Sequence, residues 1–448
     1  MNRLVVALSA VVSGRSAWLL LGVTGMAYAQ GASALWAVVG YTVAELILFL
    51  TFARRLRHFA EAYDCVTLPD FFAARFGDED GRLRLTLAVV ILVFMVSYVS
   101  AQFAGGGKAI GASFGLSTTS GVMLTAVIVL LYTMMGGFLA VSLTDTLQAF
   151  FMIVALTILP LVAVADRGGW TAVSTELSAF DPTFLDPWAL AMGAFLGLVG
   201  IGLGSPGNPH IVVRYMSIDD PAHLRFAGLV GTFWNVVMGA GAVFIGLVGR
   251  VYFPSVEMLP GADTESLYPM LAQQHLPPLL FGMVVASVFA AIMSTADSQL
   301  LVAASSVVRD CYQKVLRRHD QVPEARLVLY SRVVVAALVG VALVLGVVAE
   351  QLVFWLVLFA WAGLGAALGP TSLLAMYWRG TTRAGVFAGL VTGTLVTVAW
   401  YLTPALKSQL YELIPAFVLA LVATVLVSRW THPPENADEA FAAMGAEP

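Results

Sequence analysis

The segment Gly200-Ile-Gly-Leu-Gly-Ser-Pro-Gly-Asn-Pro209 interrupts an otherwise apolar run with four glycines and two prolines. Proline removes a backbone donor and clashes with the preceding turn, so this run cannot remain an unbroken helix. A second interruption, Val12-Ser-Gly-Arg-Ser16, puts glycine and a full charge near the middle of an apolar run at the amino terminus. Apolar runs of about 20 residues, each able to cross a ~30 Å hydrocarbon core as a helix, divide the chain into twelve spans. They cover 4–27, 33–53, 85–104, 118–139, 143–165, 188–206, 226–250, 279–306, 328–348, 352–376, 384–403 and 412–430. The interruptions therefore fall in spans one and six. Paired breaks in corresponding spans point to a five-plus-five inverted repeat with a binding site at the breaks, near the bilayer midplane. The competing reading is that glycine there only lets helices approach closely, as in Gly365-x-x-x-Gly369 of span ten.

Composition agrees with a bilayer environment. Of 448 residues, 59% are hydrophobic and 11% charged, and the mean hydropathy is +0.88; a soluble domain carries about 25% charged residues. Continuous runs rich in Leu, Val and Ala exclude a barrel, whose segments of about ten residues alternate. The expected fold is an all-α integral membrane protein with about 12 transmembrane helices. A single transporter domain spans 1–430, with core repeats at about 4–165 and 188–376, extra helices at 384–430, and a disordered cytoplasmic tail at 431–448 that includes Glu435, Asp438, Glu439 and Glu447. Trp18-Leu-Leu-Leu-Gly22 carries the first apolar run past the length of a signal-peptide core, so that span is expected to be retained.

The distribution of Lys and Arg predicts orientation. Arg54, Arg55, Arg57, Arg75, Arg82 and Arg84 follow span two, and Arg309, Lys314, Arg317, Arg318 and Arg326 follow span eight. Arg214, Arg225, Arg379, Arg383 and Arg429 fall on the same face, whereas the other holds little beyond Lys108, Arg167 and Lys407. The arginine-rich face is predicted to be cytoplasmic in the cell (inner) membrane, with both termini on that side. Cys65 and Cys311 lie there, where a structural disulfide is not expected. The sequence has no His-Glu-x-x-His, Cys-x-x-Cys or phosphate-cradling Gly-Lys-Ser/Thr loop. This argues against an enzyme, a cofactor, direct ATP coupling and a nucleic-acid partner, and no obligate protein partner is implied.

One stretch suits a cation. In Ala291-Ile-Met-Ser-Thr-Ala-Asp-Ser-Gln-Leu300, residues Ala291, Ser294, Thr295 and Ser298 are spaced i, i+3, i+4 and i+7 and share one helix face. Asp297 adds a carboxylate after a run without charges from residue 266 to residue 296. Their oxygens suit a hard cation; alternatively, Ser and Thr in membrane helices bond back to their own i−4 carbonyls.

Three stretches together resemble the sodium/solute symporter family, in particular its sodium/proline symporter branch: Gly136-Gly-Phe-Leu-Ala-Val-Ser-Leu-Thr-Asp-Thr-Leu-Gln148, Ala291-Ile-Met-Ser-Thr-Ala-Asp-Ser-Gln-Leu-Leu301 and Trp361-Ala-Gly-Leu-Gly-Ala-Ala-Leu-Gly-Pro370. Thr67-Leu-Pro-Asp-Phe71 and Pro209-His210 extend the likeness. The resemblance implies alternating access and inward Na⁺ as the coupling ion, with a small organic solute as cargo, an amino acid such as proline first. Monocarboxylate or sugar symport, or a non-transporting membrane sensor, are the alternatives. It implies a Na⁺ site of the Val12, Arg15 and Ala291 carbonyls with the Ser294 and Thr295 hydroxyls, and a second ion site at Asp145, Asp297 and Ser298. Asp145, close to a connection, is otherwise simply solvated. Family members usually carry one further amino-terminal span, so spans one to ten here match the family's ten-helix core.

The implied substrate site comprises Ser16, Trp18, Tyr132, Ile201, Ser205, Asn208 and Pro209. Departures from the branch concentrate here: Gly14 replaces an aspartate and is followed by Arg15, and Ile201, Ser205 and Asn208 replace tryptophan, tyrosine and glutamine. Arg15 has three open roles. It meets a substrate carboxylate, pairs structurally with Glu45 or Asp297, or stands in for the sodium ion.

Overall fold

The computed structural model describes residues 1–317, 322–348 and 352–445; Arg318 and Glu447 lie outside them. The first half of the chain runs α1 (Arg3–Ser13), α2 (Thr24–Gln30), α3 (Leu35–Ile47), α4 (Ala53–Ala62), α5 (Leu68–Phe76), α6 (Arg82–Phe114), α7 (Thr118–Met135), α8 (Phe138–Asp166) and α9 (Trp170–Phe180). The second runs α10 (Met192–Gly200), α11 (Pro209–Met216), α12 (Leu224–Tyr252), α13 (Leu267–His275), α14 (Pro278–Ser305), α15 (Glu324–Val348) and α16 (Val353–Tyr377). After them come α17 (Arg383–Tyr401), α18 (Pro404–Lys407), α19 (Leu413–Trp430) and α20 (Ala437–Ala443).

Among the described residues, ten helical stretches are long and apolar enough to cross a membrane, and one of them, Trp18–Ala62, passes through two successive spans. The shorter Arg3–Ser13 and Met192–Gly207 adjoin the two sequence interruptions. Together these account for twelve spans. The long lipid-length helices expose Leu, Val and Phe around the outside, while small residues face inward. In lipid, helices gain little from hydrophobic burial against one another, so close packing through small side chains drives their association.

Both interruptions are real backbone breaks. α1 closes with the Gly14 and Arg15 N–H groups bonded to the Val11 and Val12 carbonyls, and Ser16 then takes the left-handed conformation at φ 51°. In the sixth span α10 tightens into a 3₁₀ turn at Ile201–Gly207, and α11 restarts at Pro209, where the missing N–H costs nothing. Gly204 is required by a close approach: a Cβ there would lie 2.1 Å from Trp361 Nε1 of α16. Gly365 meets the same turn, its would-be Cβ 2.5 Å from Gly204 Cα. The close-packing role expected of span ten and the break in span six are thus one contact.

α1 packs on α8, α12 and α14, and the 3₁₀ turn packs on α16 and α3, so both breaks sit inside the ten-helix core. α17 and α19 pair with each other against α16. The tail departs from the expected disorder. α20 buries Ala440 and Phe441, and the Arg55, Arg75 and Arg379 guanidiniums lie 5.6, 5.1 and 5.5 Å from the Phe441 ring centre. Its few apolar residues, easily missed among acidic neighbours, find an arginine-lined seat.

Candidate functional site

The hydroxyl stripe of α14 lies directly against the first break. Thr295 Oγ1 donates to the Ser13 carbonyl at 2.9 Å, and Ser294 Oγ donates to the Ala291 carbonyl at 3.1 Å and reaches the Val12 carbonyl at 3.5 Å. All of these residues are fully buried. Ser294 therefore does bond back within its own helix, yet it also faces the Val12 carbonyl, which at the break accepts the Arg15 N–H in a tightened turn. The Arg15 carbonyl accepts the Leu19 N–H at 3.0 Å. Ser13 supplies the carbonyl nearest Thr295 instead, a residue sequence reasoning passed over.

The proposed second ion group does not converge. Asp145 and Ser298 come together, but through Arg214, whose Nη2 lies 3.0 Å from Asp145 Oδ2 and 2.6 Å from Ser298 Oγ. Ser9 Oγ donates to the same carboxylate oxygen at 2.6 Å, and Ser13 Oγ reaches it at 3.3 Å. Asp145 is fully buried rather than solvated. Asp297 points elsewhere and accepts Thr133 Oγ1 at 2.6 Å, and its other oxygen has no partner among the described residues. Arg214 was assigned from sequence to a surface connection. It is instead 0% exposed in the last turn of α11. The signal available was its spacing from His210, one turn earlier on a half-helix that the break turns into the core.

Of the partners open to it, Arg15 takes Glu45. It pairs with Glu45 of α3 at 1% and 3% exposure. Its Nε donates to Asn235 Oδ1 of α12 at 2.8 Å, while Asn235 Nδ2 donates to Glu45 Oε2 at 2.8 Å. The guanidinium also lies over the Tyr41 ring at 3.8 Å. It meets neither Asp297 nor the hydroxyl stripe, because Glu45 and Asn235 satisfy it on the other side of the break.

The residues expected around substrate divide into two groups. Trp18 stacks on Phe354 with ring centres 5.8 Å apart and meets Tyr41 edge-on at 5.7 Å. Trp18 and Ile201, with Gly14, Arg15, Tyr98 and Trp361, enclose a chamber of about 10 Å³, room for about one water. Ser16 Oγ accepts the Trp18 N–H at 3.1 Å beside it. Ser205 Oγ and Asn208 Oδ1 are buried without partners among the described residues. Tyr132 stands apart, half-buried and bonded to Thr144, and Pro209 lines a different pocket. Sequence spacing could not separate these, because Tyr132 lies near the end of α7, away from both breaks.

Two larger openings flank the chamber. One of about 430 Å³ lies at the arginine-rich end, between residues 65–69, Phe138, Pro209 and the end of α14. The other, of similar size, enters from the opposite end beside Phe354, Lys407 and Tyr411, and shares Ile201 and Leu358 with the chamber wall. The small chamber at the first break thus shares a wall with one of these openings, and the other lies along α11, which begins at the second break.

Residues 1–393 match the sodium:solute symporter family. The chain belongs to that family. It is 36% identical over 436 residues to the osmoregulated proline transporter OpuE of Bacillus subtilis, covering 97% of this chain and 88% of that protein. It is 37% identical over 443 residues to a sodium/proline symporter of Staphylococcus aureus, covering 96% and 86%. In fold it is similar to a Na⁺-coupled sialic acid symporter in a substrate-bound outward-open state, with TM-score 0.78 at 17% identity over 97% of this chain and 91% of that one. A nucleobase-cation-symport-1 family transporter in a closed conformation gives TM-score 0.56 at 14% identity, covering 99% and 96%. The symporter is thus a multi-pass membrane transporter, not an enzyme, and Na⁺ is its coupling ion.

Proposed function

We propose that this symporter uses inward Na⁺ movement to accumulate proline, or an amino acid of similar size and shape. The observation that carries the reading is the contact between the α14 hydroxyls and the carbonyls freed by the first break, beside an aromatic chamber. Na⁺ is taken by the Val12, Ser13 and Ala291 carbonyls and the Ser294 and Thr295 hydroxyls, displacing the bonds these groups now make to one another. Oxygen-only ligands suit a hard monovalent cation, and unwound helix segments offer carbonyls that a regular helix would use internally. Ion binding ties α14 to the break and so favours the arrangement that shapes the chamber. Solute binding there favours the same arrangement, and the coupling is reciprocal.

The walls suit a compact apolar ring, and Ser205 Oγ and Asn208 Oδ1 supply acceptors for its ammonium-type end once the chamber opens. The arginine-rich vestibule is taken as cytoplasmic, with both termini on that side, by the positive-inside rule. Purified protein in vesicles with an imposed inward Na⁺ gradient should concentrate radiolabelled proline, and replacing external Na⁺ by K⁺ should abolish accumulation. Gradient-driven uptake of a sugar or monocarboxylate in place of proline would refute the substrate assignment.

A further inference from the structure

We propose that the Arg15 guanidinium fills a buried, oxygen-lined cation pocket and thereby holds the Na⁺ count of this symporter one lower than the pocket would otherwise allow. The pocket is built by three elements that do not depend on the arginine side chain: Glu45 Oε1, Asn235 Oδ1, and the Gly14 carbonyl, 3.4 Å from Arg15 Nη1, with Glu45 Oε2 held in place by Asn235 Nδ2. The face of Tyr41 closes it. Removing the guanidinium leaves three oxygens without it, one of them on an uncompensated carboxylate, sealed from solvent beside a helix break.

A buried carboxylate without a counter-charge is strongly unfavourable. Oxygens set at a helix break and deprived of their guanidinium have the donor chemistry that holds a small monovalent cation. Arg15 supplies that charge on a covalent tether, so it is never released to either face and does no transport work. It also braces the break against α3 and α12 in every cycle. The inference rests on the sodium coupling of the family and not on which residues hold the transported ion.

The test is equilibrium ²²Na⁺ binding to purified protein. Arg15→Met should bind one more Na⁺ per molecule than the parent, and the Na⁺ dependence of proline uptake should steepen. Arg15→Met with Glu45→Gln should return to the parent count, because the carboxylate that recruits the ion is gone. Arg15→Lys keeps a tethered charge and should also match the parent. An Arg15→Met protein that is stable in NaCl and melts in KCl likewise supports the pocket. An unchanged count in Arg15→Met, or an added Na⁺ in either of the other two variants, overturns the proposal. Because the increment over the parent carries the result, it stays readable even where the coupling ion is held by residues other than Ser294 and Thr295.

Discussion

The two repeats each bury one arginine beside their break, and the two are held differently. Arg15 sits in a closed set: its carboxylate, Glu45, is itself bonded to Asn235, so α3, α12 and the break are fastened together. Arg214 shares Asp145 with the hydroxyls of Ser9 and Ser13 and also donates to Ser298 Oγ, and Asp145 Oδ1 keeps no partner among the described residues. The Arg214 guanidinium also lies 5.7 Å from the ring centre of Phe138, a wall of the arginine-rich vestibule. A fixed charge pair on neighbouring helices is suited to bracing. A charge held by rotatable hydroxyls has alternative partners at hand and is suited to exchange.

This contrast is open to breaking at several points. The largest expected effect is at the brace. Glu45→Ala leaves Arg15 buried and unpaired and should cost about 3–5 kcal/mol, read as a large fall in melting temperature of the purified protein. Arg214→Ala should cost somewhat less, at the low end of that range, about 3 kcal/mol, since the Ser9 and Ser13 hydroxyls still reach the stranded Asp145. Its main effect should fall on transport, with maximal uptake dropping well before stability does. A transport loss in Arg214→Ala no larger than its stability loss explains, as for Glu45→Ala, would remove the distinction between brace and exchangeable charge.

Ser294→Ala with Thr295→Ala should leave the fold intact and raise the Na⁺ concentration for half-maximal uptake about tenfold, equivalent to about 1.4 kcal/mol. Unchanged Na⁺ dependence at normal expression would rule out the stripe as the ion site.

The smallest effect concerns a surface cluster at the arginine-rich end. Burial works against ionisation of Asp70, but Arg84 at 2.6 Å and Arg309 at 3.2 Å prevail and hold its carboxyl below the ordinary range. A depressed carboxyl stabilises the fold above its unfolded value, near ~3.9, and that contribution disappears as pH falls through the lower folded value. Hydrogen exchange of α5 should therefore be insensitive to Asp70 between pH 5 and pH 7, about one to three units above that value, and rise only in stronger acid. Loosening already at pH 6 would mean another group governs the docking of this segment.

Several features were legible because they depend on local chemistry. Pro206, Pro209 and the glycines at 200, 202, 204 and 207 prevent a regular helix wherever they are placed, and the spacing of Ala291, Ser294, Thr295 and Ser298 puts them on one face of any helix. Glu45 was readable as a candidate partner for Arg15, since an ionisable residue inside an apolar run needs one. The likeness of residues 136–148 and 361–370 to a symporter family carried the fold, which the family match then established. The tail was misread because acidic composition dominates it, whereas one phenylalanine and three distant arginines decide its docking.

Pairing was not legible, because it is a property of distance between helices. Arg15 and Asp297 were as compatible in charge as Arg15 and Glu45, and only the position of α3 and α12 around the break selects Glu45. Likewise Arg214 reads as a surface charge until the turn at 201–207 swings α11 inward against Ser9, Asp145 and Ser298. The sequence by itself determined that the sixth span must break, that the first carries a glycine and a charge in mid-run, and that α14 must present hydroxyls. The tertiary structure alone decided which carbonyls face those hydroxyls and which buried charges neutralise each other, since Coulomb and hydrogen-bond energies depend on separation that no spacing along the chain encodes.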